Sequence, residues 1–408
     1  MTRKIDSYDV IVVGGGPSGS QVAYKLAAMG YIVAVVEKKA SLNGVVCCTG
    51  LVSRECVEKY SIPEGVIHRW VNGASLFPPT GKPIHVQRDS PQVAVLNRSA
   101  FNQIWAQRAQ KASVEYHFGC YIKRITREKG KVTAEVNRHG EIITLQSRVI
   151  VIATGFGTQL LDNLGLGGAG DFAMGAQAEV ETKNVNGSIY GVEVYFGKEV
   201  APGFFAWMVP SAPGKALVGL LARRDNPFYL RKLLASLASE GKIISTDVKI
   251  TYGGVSLKPL PHTRSDNLLV VGTAAGQVKP ITGGGIYFGL ICADIAANTL
   301  KTALETGNLS AHALAGYERA WHKKLNRELR SGYWARKAYE VLSDRQVTRV
   351  IGLLQSTGII ADLERNEDMS FDWHADVIAR VMGQKFFTKT VGSIRDSFKR
   401  EKPLGDAK

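Results

Sequence analysis

Residues 9–37, DVIVVGGGPSGSQVAYKLAAMGYIVAVVE, decide the architecture of this chain. Residues 9–13 are a short β-branched run, 14–19 are rich in glycine, and 20–29 are built from helix formers. Gly30 breaks the helix, and a second β run over 32–36 ends at Glu37. Strand, glycine turn, helix and strand make one βαβ unit. In that setting Gly14-x-Gly16-x-x-Gly19 reads as a dinucleotide fingerprint. Gly14 permits the tight turn, Gly16 lets the backbone approach a pyrophosphate, and Gly19 lets helix and sheet pack closely. The helix N-terminus offers N–H groups and partial positive charge to the phosphates. Glu37, 18 residues beyond Gly19, is placed to accept hydrogen bonds from a ribose diol, and its charge disfavours the 2′-phosphate of NADP.

A second match, Gly165-x-Gly167-x-x-Gly170, follows Leu160-Leu161-Asp162-Asn163-Leu164 instead of a β run, and no strand-ending acid stands at the right distance. It reads as a loop. Further out, residues 149–152 form a buried strand before Ala153-Thr154-Gly155, and 268–271 another before a second glycine-rich stretch. Between them, alternating segments such as 188–196 and 216–220 read as a separate sheet. From about residue 309 the pattern turns helical. The expected fold is α/β (α+β overall). A discontinuous Rossmann-like domain takes 1–75, 92–165 and 258–305, an inserted antiparallel-sheet substrate domain takes 76–91 and 166–257, and a helical region takes 306–408.

The chain has 408 residues, 51 Lys+Arg against 36 Asp+Glu, and a net charge of +15. Its balance of 45% hydrophobic and 21% charged residues excludes a disordered or fibrous protein. The 43 glycines lack a collagen period. Cys47, Cys48, Cys56, Cys120 and Cys292 show neither zinc nor CxxC spacing, so neither a disulfide framework nor a metal site is expected, and a reducing compartment fits. The eight histidines are scattered without metal spacing. The sequence runs straight into a strand, leaving no room for a signal or transit peptide, and no apolar run is long enough for a spanning helix. Basic residues in 311–350 (Lys323, Lys324, Arg327, Arg330, Arg336 and Lys337) mix with Trp321, Tyr333, Trp334 and Tyr339, whereas 361–376 is acidic and 377–408 basic again. Basic residues beside interfacial aromatics suit an anionic membrane surface, and equally a solvated helix face. No nucleic-acid-binding motif accompanies the charge.

One βαβ unit does not separate NAD from FAD. Some 250 residues later, however, 267–276 lead to Pro280 and Thr282-Gly283-Gly284-Gly285-Ile286. A strand, a small-residue turn and glycines at a helix start make an anion- or carbonyl-binding backbone, as a flavin needs at N1–C2=O. With that stretch, the chain resembles the FAD-dependent fold of the aromatic hydroxylases and, within it, the geranylgeranyl reductase family. The likeness rests on GGGPSGS, Val46-Cys47-Cys48-Thr49-Gly50-Leu51, Leu96-Asn97-Arg98-x-x-Phe101, Ala153-Thr154-Gly155, Pro202-x-x-Phe205-x-Trp207-x-x-Pro210 and Gly272-x-Ala-Ala-Gly276-x-x-x-Pro280-x-x-Gly283-Gly284-Gly285-Ile286. It implies that Ser18 and Glu37 hold the adenosine half of FAD, with Pro17 and Lys38 beside them and the backbone near Ile122 bordering the adenine. Arg98 would meet the pyrophosphate region. Cys47, Cys48, Gly50, Gly155, Thr273, Gly284, Gly285 and Ile286 would frame the flavin side, while Phe205, Trp207 and Pro210 would line the substrate path.

Three departures stand out. Thr273 replaces the family's usual Asp, Phe205 and Val209 replace its usual Tyr and Phe, and no hydroxylase-type Asp-Gly follows Ala-Thr-Gly. The last counts against a monooxygenase. The resemblance implies a reductase of isolated double bonds in a geranylgeranyl or polyprenyl chain on a lipid or diphosphate carrier. Protonated reduced flavin, a bound water and Cys47 all stand as its acid. The reductant is NAD(P)H docking transiently or an acidic ferredoxin-like carrier, and the expected location is cytoplasmic, peripheral on the inner membrane face. The alternatives are an aromatic monooxygenase or halogenase on the same fold, and a non-catalytic lipid-binding flavoprotein.

Overall fold

The computed structural model describes residues 6–383 except 129, 158, 169, 184–190 and 367–369. Asp6–Val13 lies inside a parallel sheet whose order is Glu115–Phe118, Val33–Glu37, Asp6–Val13, Glu141–Ile152 and Leu268–Val270, with Arg264–Ser265 antiparallel at the far edge. Chain order therefore runs outward from Asp6–Val13 in one direction and returns on its other side. This reversal creates a switch-point crevice between Asp6–Val13 and Glu141–Ile152, the place where such sheets take their ligands.

Every residue of Val33–Glu37 is buried, as a parallel strand covered on both faces requires. On one face Val10 and Val12 pack with Val22, Leu26, Phe288, Cys292 and Leu300, from the helices Pro17–Ala28 and Ile286–Glu305. On the other, Ile11 and Val13 pack with Val132, Ala134, Val136 and Leu145, from Lys131–Arg138 and the first half of Glu141–Ile152. The first helix starts at Pro17, ahead of the helix formers, because proline's fixed φ and missing N–H suit the first helical position. The second glycine match lies past the short helix Gln159–Asn163, with Gly165 and Gly167 both at positive φ, and is a turn and loop as expected.

Among the described residues, the inserted sheet has seven strands, ordered Ile250–Ser256, Phe172–Glu181, Lys215–Ala222, Phe205–Pro210, Val192–Phe196, Gly73–Phe77 and Ile84–Gln87. Gly73–Phe77 enters it in parallel with Val192–Phe196 and begins inside the 1–75 segment; of the 188–196 segment, residues 188–190 lie outside the described residues. The helix Asn226–Ser239 covers one face, through Leu230, Leu233, Leu234 and Leu237. A three-stranded sheet, Leu51–Ser53, Val93–Leu96 and Ile67–Val71, packs on Tyr287, Leu290 and Ile291.

The C-terminal helices are Ala315–Val341, Asp344–Ser356, Ile359–Arg365 and Ala375–Met382. Several residues of the basic–aromatic stretch face inward. Trp321 is buried and donates Nε1–H to Thr263 Oγ1 at 3.0 Å, Tyr339 donates its hydroxyl to the Phe204 carbonyl at 2.8 Å, and the Arg336 guanidinium is buried 3.3 Å over the Phe204 ring. The basic tail beyond 383 lies outside the described residues. No helix among the described residues is long and apolar enough to cross a membrane.

His374 stands at the N-cap of the helix Ala375–Met382, near Lys279, and burial followed by the Lys279 charge pushes its pKa down to about 4. The unfolded chain binds that proton near pH 6.5, so stability falls as the pH drops from there through about 4. His374→Gln is expected to flatten that part of the profile in urea unfolding; an unchanged slope shows that His374 does not carry it.

Candidate cofactor and substrate site

The fingerprint sits at the switch point. Gly14 has φ +104°, and a Cβ there would lie 2.4 Å from the Ala153 carbonyl oxygen of the neighbouring strand end. A Cβ on Gly19 would lie 2.0 Å from the Gly14 oxygen. These two glycines close the turn onto strand and helix, whereas a Cβ at Gly16 would meet nothing within 4 Å. Space in front of the helix N-terminus is therefore open where a pyrophosphate would lie. Glu37, 7% exposed, accepts from Gly15 N–H at 2.7 Å and from Lys39 N–H at 2.9 Å. It holds the loop itself. Lys38 is exposed beside it. Gly119 N–H donates to the Lys39 carbonyl, bringing Cys120 and Ile122 past the same strand ends; the Ile122 side chain packs into the sheet core.

Ser18 is not brought to Glu37. A Cβ on Gly272 would lie 2.7 Å from its Oγ, and one on Gly289 2.3 Å. The Ser18 side chain thus fills a slot between the 272 turn and the helix Ile286–Glu305, joining the flavin side to the pyrophosphate side. Gly272 (φ +74°) is held by Gln277, whose Oε1 accepts from its N–H at 2.7 Å and whose Nε2 donates to Tyr317 Oη at 2.7 Å. Gln277, Tyr317 and Gly289 escaped sequence reasoning. Only the contacts of Gly289 explain why a helix here lacks a side chain. Thr273, in place of the usual Asp, stands with its hydroxyl 3.3 Å from where a Gly285 Cβ would be.

Arg98 opens the helix Arg98–Lys111, behind Asn97, whose side chain accepts from Ala100 N–H at 3.0 Å as N-cap. Gly50 (φ +72°) lies against it: a Cβ would come within 3.0 Å of Arg98 Cδ. The Arg98 Nε and Nη1 are buried without a partner, as is the Thr282 hydroxyl. Buried donors without acceptors are costly, and an anionic dinucleotide between these loops would satisfy them.

The turn between Lys279 and Gly285 is pinned from behind. Lys279 is 4% exposed and its ammonium contacts Asp372 Oδ1 at 2.5 Å. Asp372 Oδ2 also accepts from Ser53 N–H at 3.0 Å. Lys279 N–H donates to the Gly284 carbonyl, and Gly283 N–H to the Lys279 carbonyl. A Cβ on Gly284 would strike Lys279 Cε at 2.7 Å.

The face of the seven-stranded sheet opposite the helix Asn226–Ser239 meets this turn and the Cys47 loop. Leu221 and Val255 approach Gly283, and Cys47 lies on Gly253 and Gly175. Phe205 and Trp207 share this face with Val209, while strand alternation turns Pro210 to the other side. Pro210 is buried and does not line the same wall. Gly155 (φ +73°) precedes Phe156, whose ring occupies the position of a Gly254 Cβ.

Burial, with Cys48 nearby, pushes the Cys47 thiol up to about 11, against a lowering hydrogen bond with Thr251. All five cysteines are free, and Cys47 stays a neutral thiol at physiological pH. Alkylation near pH 8, where roughly a thousandth is thiolate, is expected to leave Cys47 unmodified by peptide mass spectrometry; rapid stoichiometric labelling there would contradict this environment.

The cradle at the switch point, the buried unpartnered Arg98 and the glycine turn together fit FAD, and they define a flavin-dependent oxidoreductase on a Rossmann-like fold. Residues 8–186 match the pyridine nucleotide-disulphide oxidoreductase family. Digeranylgeranylglycerophospholipid reductase of Methanocaldococcus jannaschii is 32% identical over 84% of this chain and 89% of its own. The chain belongs to the geranylgeranyl reductase family of FAD-dependent oxidoreductases. In fold it is similar to a geranylgeranyl bacteriochlorophyll reductase-like protein from Thermoplasma acidophilum (TM-score 0.83, 24% identity, 96% of this chain and 100% of that one). It is also similar to p-nitrophenol 4-monooxygenase from Pseudomonas putida (TM-score 0.68, 16% identity, 88% of this chain and 98% of that one).

Proposed function

We propose that this enzyme hydrogenates isolated double bonds of a geranylgeranyl or longer polyprenyl chain carried on a phospholipid, a diphosphate or a similar lipid. The observation that carries the reading is the sheet face against the Cys47 loop, where Phe205, Trp207, Leu221 and Val255 share one side and pack with Cys47 over Gly175, Gly219 and Gly253. A mostly apolar face of this kind suits a hydrocarbon chain. Gly14, Gly16 and Glu37 would hold the adenosine and pyrophosphate end of FAD, Arg98 its phosphates, and Thr273 with Gly284 and Gly285 the flavin end.

Bound there and reduced, FAD supplies hydride. An unpolarised trisubstituted alkene takes hydride only as a proton arrives, so the chamber must also deliver a proton and exclude bulk water. Phe205, Trp207, Leu221 and Val255 form the apolar wall that holds the chain flat. Cys47, protonated and packed on Gly253, holds a proton at the chamber edge. The fingerprint at residues 14–19 serves the flavin, so NAD(P)H would dock transiently or an acidic ferredoxin-like carrier would deliver electrons to the basic surface. A site on an anionic membrane would give access to a lipid-borne chain.

Dithionite-reduced protein incubated with prenyl phospholipids and prenyl diphosphates is expected to yield products heavier by successive pairs of hydrogens in mass spectrometry. No mass gain with any carrier, or O2-dependent NADH oxidation giving a hydroxylated aromatic product, would overturn the proposal.

A further inference from the structure

Lys279 brings a full charge to the back of the turn assigned to the flavin end. A Cβ on Gly284 would lie 2.7 Å from Lys279 Cε and 3.2 Å from its Nζ, with Thr282 Oγ1 third at 3.5 Å. The ammonium therefore stands directly behind the Gly284 backbone. Asp372 Oδ1 meets that ammonium at 2.5 Å, yet no Asp372 atom is among those three, so the carboxylate lies farther from Gly284 than the nitrogen does. Its second oxygen is turned to Ser53 N–H. The pair is a dipole with its positive pole at the turn. Its surroundings keep it dry and fixed. Lys279 and Asp372 are 4% and 1% exposed, and the Phe371 ring covers the ammonium at 4.4 Å. His374, whose pKa is down at about 4, is neutral at neutral pH. Glu328 lines the same cavity as Lys279 and His374, and it spends its carboxylate on the His374 and Ala375 N–H groups. Away from water a charge is weakly screened and acts beyond its contacts. The helix Ile286–Glu305 adds the same sign, because its N-terminus opens at this turn.

We propose that Lys279 and Asp372 form an electrostatic couple that sets the reduction potential of the flavin, Lys279 raising it and Asp372 moderating the rise. The inference rests on the placement of the flavin end at Thr273, Gly284 and Gly285 proposed above. Reduction takes two electrons from the external donor and one proton, so the flavin gains one negative charge, which collects on its N1–C2=O side. A positive pole behind the turn stabilises that charge and favours the reduced form. The external donor then loads the site more completely before an alkene arrives. Lys279 meets the turn through its backbone and touches no reacting atom, so it and Asp372 are positioning residues.

Spectroelectrochemical titration of the holoenzyme reads the effect. Lys279→Met/Asp372→Leu removes both charges and keeps the volume. Its equilibrium constant for two-electron reduction is expected to fall about tenfold, a potential lower by about 30 mV. Asp372→Asn keeps an oxygen for Ser53 N–H and leaves the ammonium unopposed, so its potential is expected to rise. Mere loosening of the turn would not move the two variants in opposite directions. A double variant within about twofold of the wild-type constant, or an Asp372→Asn potential that does not rise, overturns the couple. Visible circular dichroism of the flavin bound to Gly285→Ala tests the placement separately, and a changed spectrum is expected. An unchanged spectrum shows that the flavin ring does not lie on this turn, and placement and couple then fall together. A changed spectrum with unmoved potentials overturns the couple alone.

Discussion

Asp372→Ala is expected to cost about 3–5 kcal/mol of folding stability, the range for removing one partner of a buried ion pair. The loss is large because Lys279 keeps its charge where water cannot reach it: the two side chains are 5% and 2% exposed. Ser53 N–H loses its acceptor in the same variant. Replacing the whole pair, as in Lys279→Met/Asp372→Leu, removes the stranded charge and is expected to recover more than half of the loss in denaturant unfolding. A single-variant loss under about 1 kcal/mol would show the pair to be solvated like a surface bridge. Burial acts to raise the Asp372 carboxyl, but the Lys279 charge and the hydrogen bonds from Lys279 and Ser53 outweigh it and hold the group below its ordinary value. A depressed carboxylate stabilises the fold above the unfolded pKa, so this contribution persists at neutral and mildly acid pH and fades only below roughly 3.9. Because Lys279 also ties the 279–284 turn through its own backbone, flavin content is expected to fall with stability in the single variant and to return in the double one.

Glu37→Arg is expected to strip the flavin. The carboxylate accepts two backbone N–H groups, from Gly15 and Lys39, and hydrogen bonds to a charged group are worth about 1.5–3 kcal/mol each. Losing both loosens the loop that carries the fingerprint, and a ribose bound as proposed would lose its acceptor. At 1.4 kcal/mol per tenfold, a loss of about 3 kcal/mol weakens FAD binding more than a hundredfold. Glu37→Gln, which keeps one acceptor oxygen, is expected to fall between. The flavin-to-protein absorbance ratio after gel filtration reads the outcome, with circular dichroism confirming the fold. A full flavin complement in Glu37→Arg would show that Glu37 serves the loop alone.

The site was legible in sequence where chemistry depends on neighbours in the chain. Gly14, Gly16, Gly19 and Glu37 are fixed by one βαβ unit, and the 272–286 stretch by its own turn. Cys47 raised suspicion only through likeness; its environment comes from Gly175 and Gly253, more than a hundred residues away. Trp207 was recognised, but its packing over Gly219 exists only across two strands. Lys279 and Asp372 stand in separate stretches of the sequence with nothing local to join them, and the fold buries them together.

The chain by itself determined the βαβ unit and its glycine turn, since these follow from local periodicity, glycine conformation and a strand-ending acid. Tertiary structure decided which charges are buried, which way Ser18 and Pro210 point, and which buried polar atoms are left without a partner. The reason is physical. Burial and unsatisfied hydrogen bonds are properties of what surrounds a group, and in this protein the surroundings arrive from strands and helices far away in sequence.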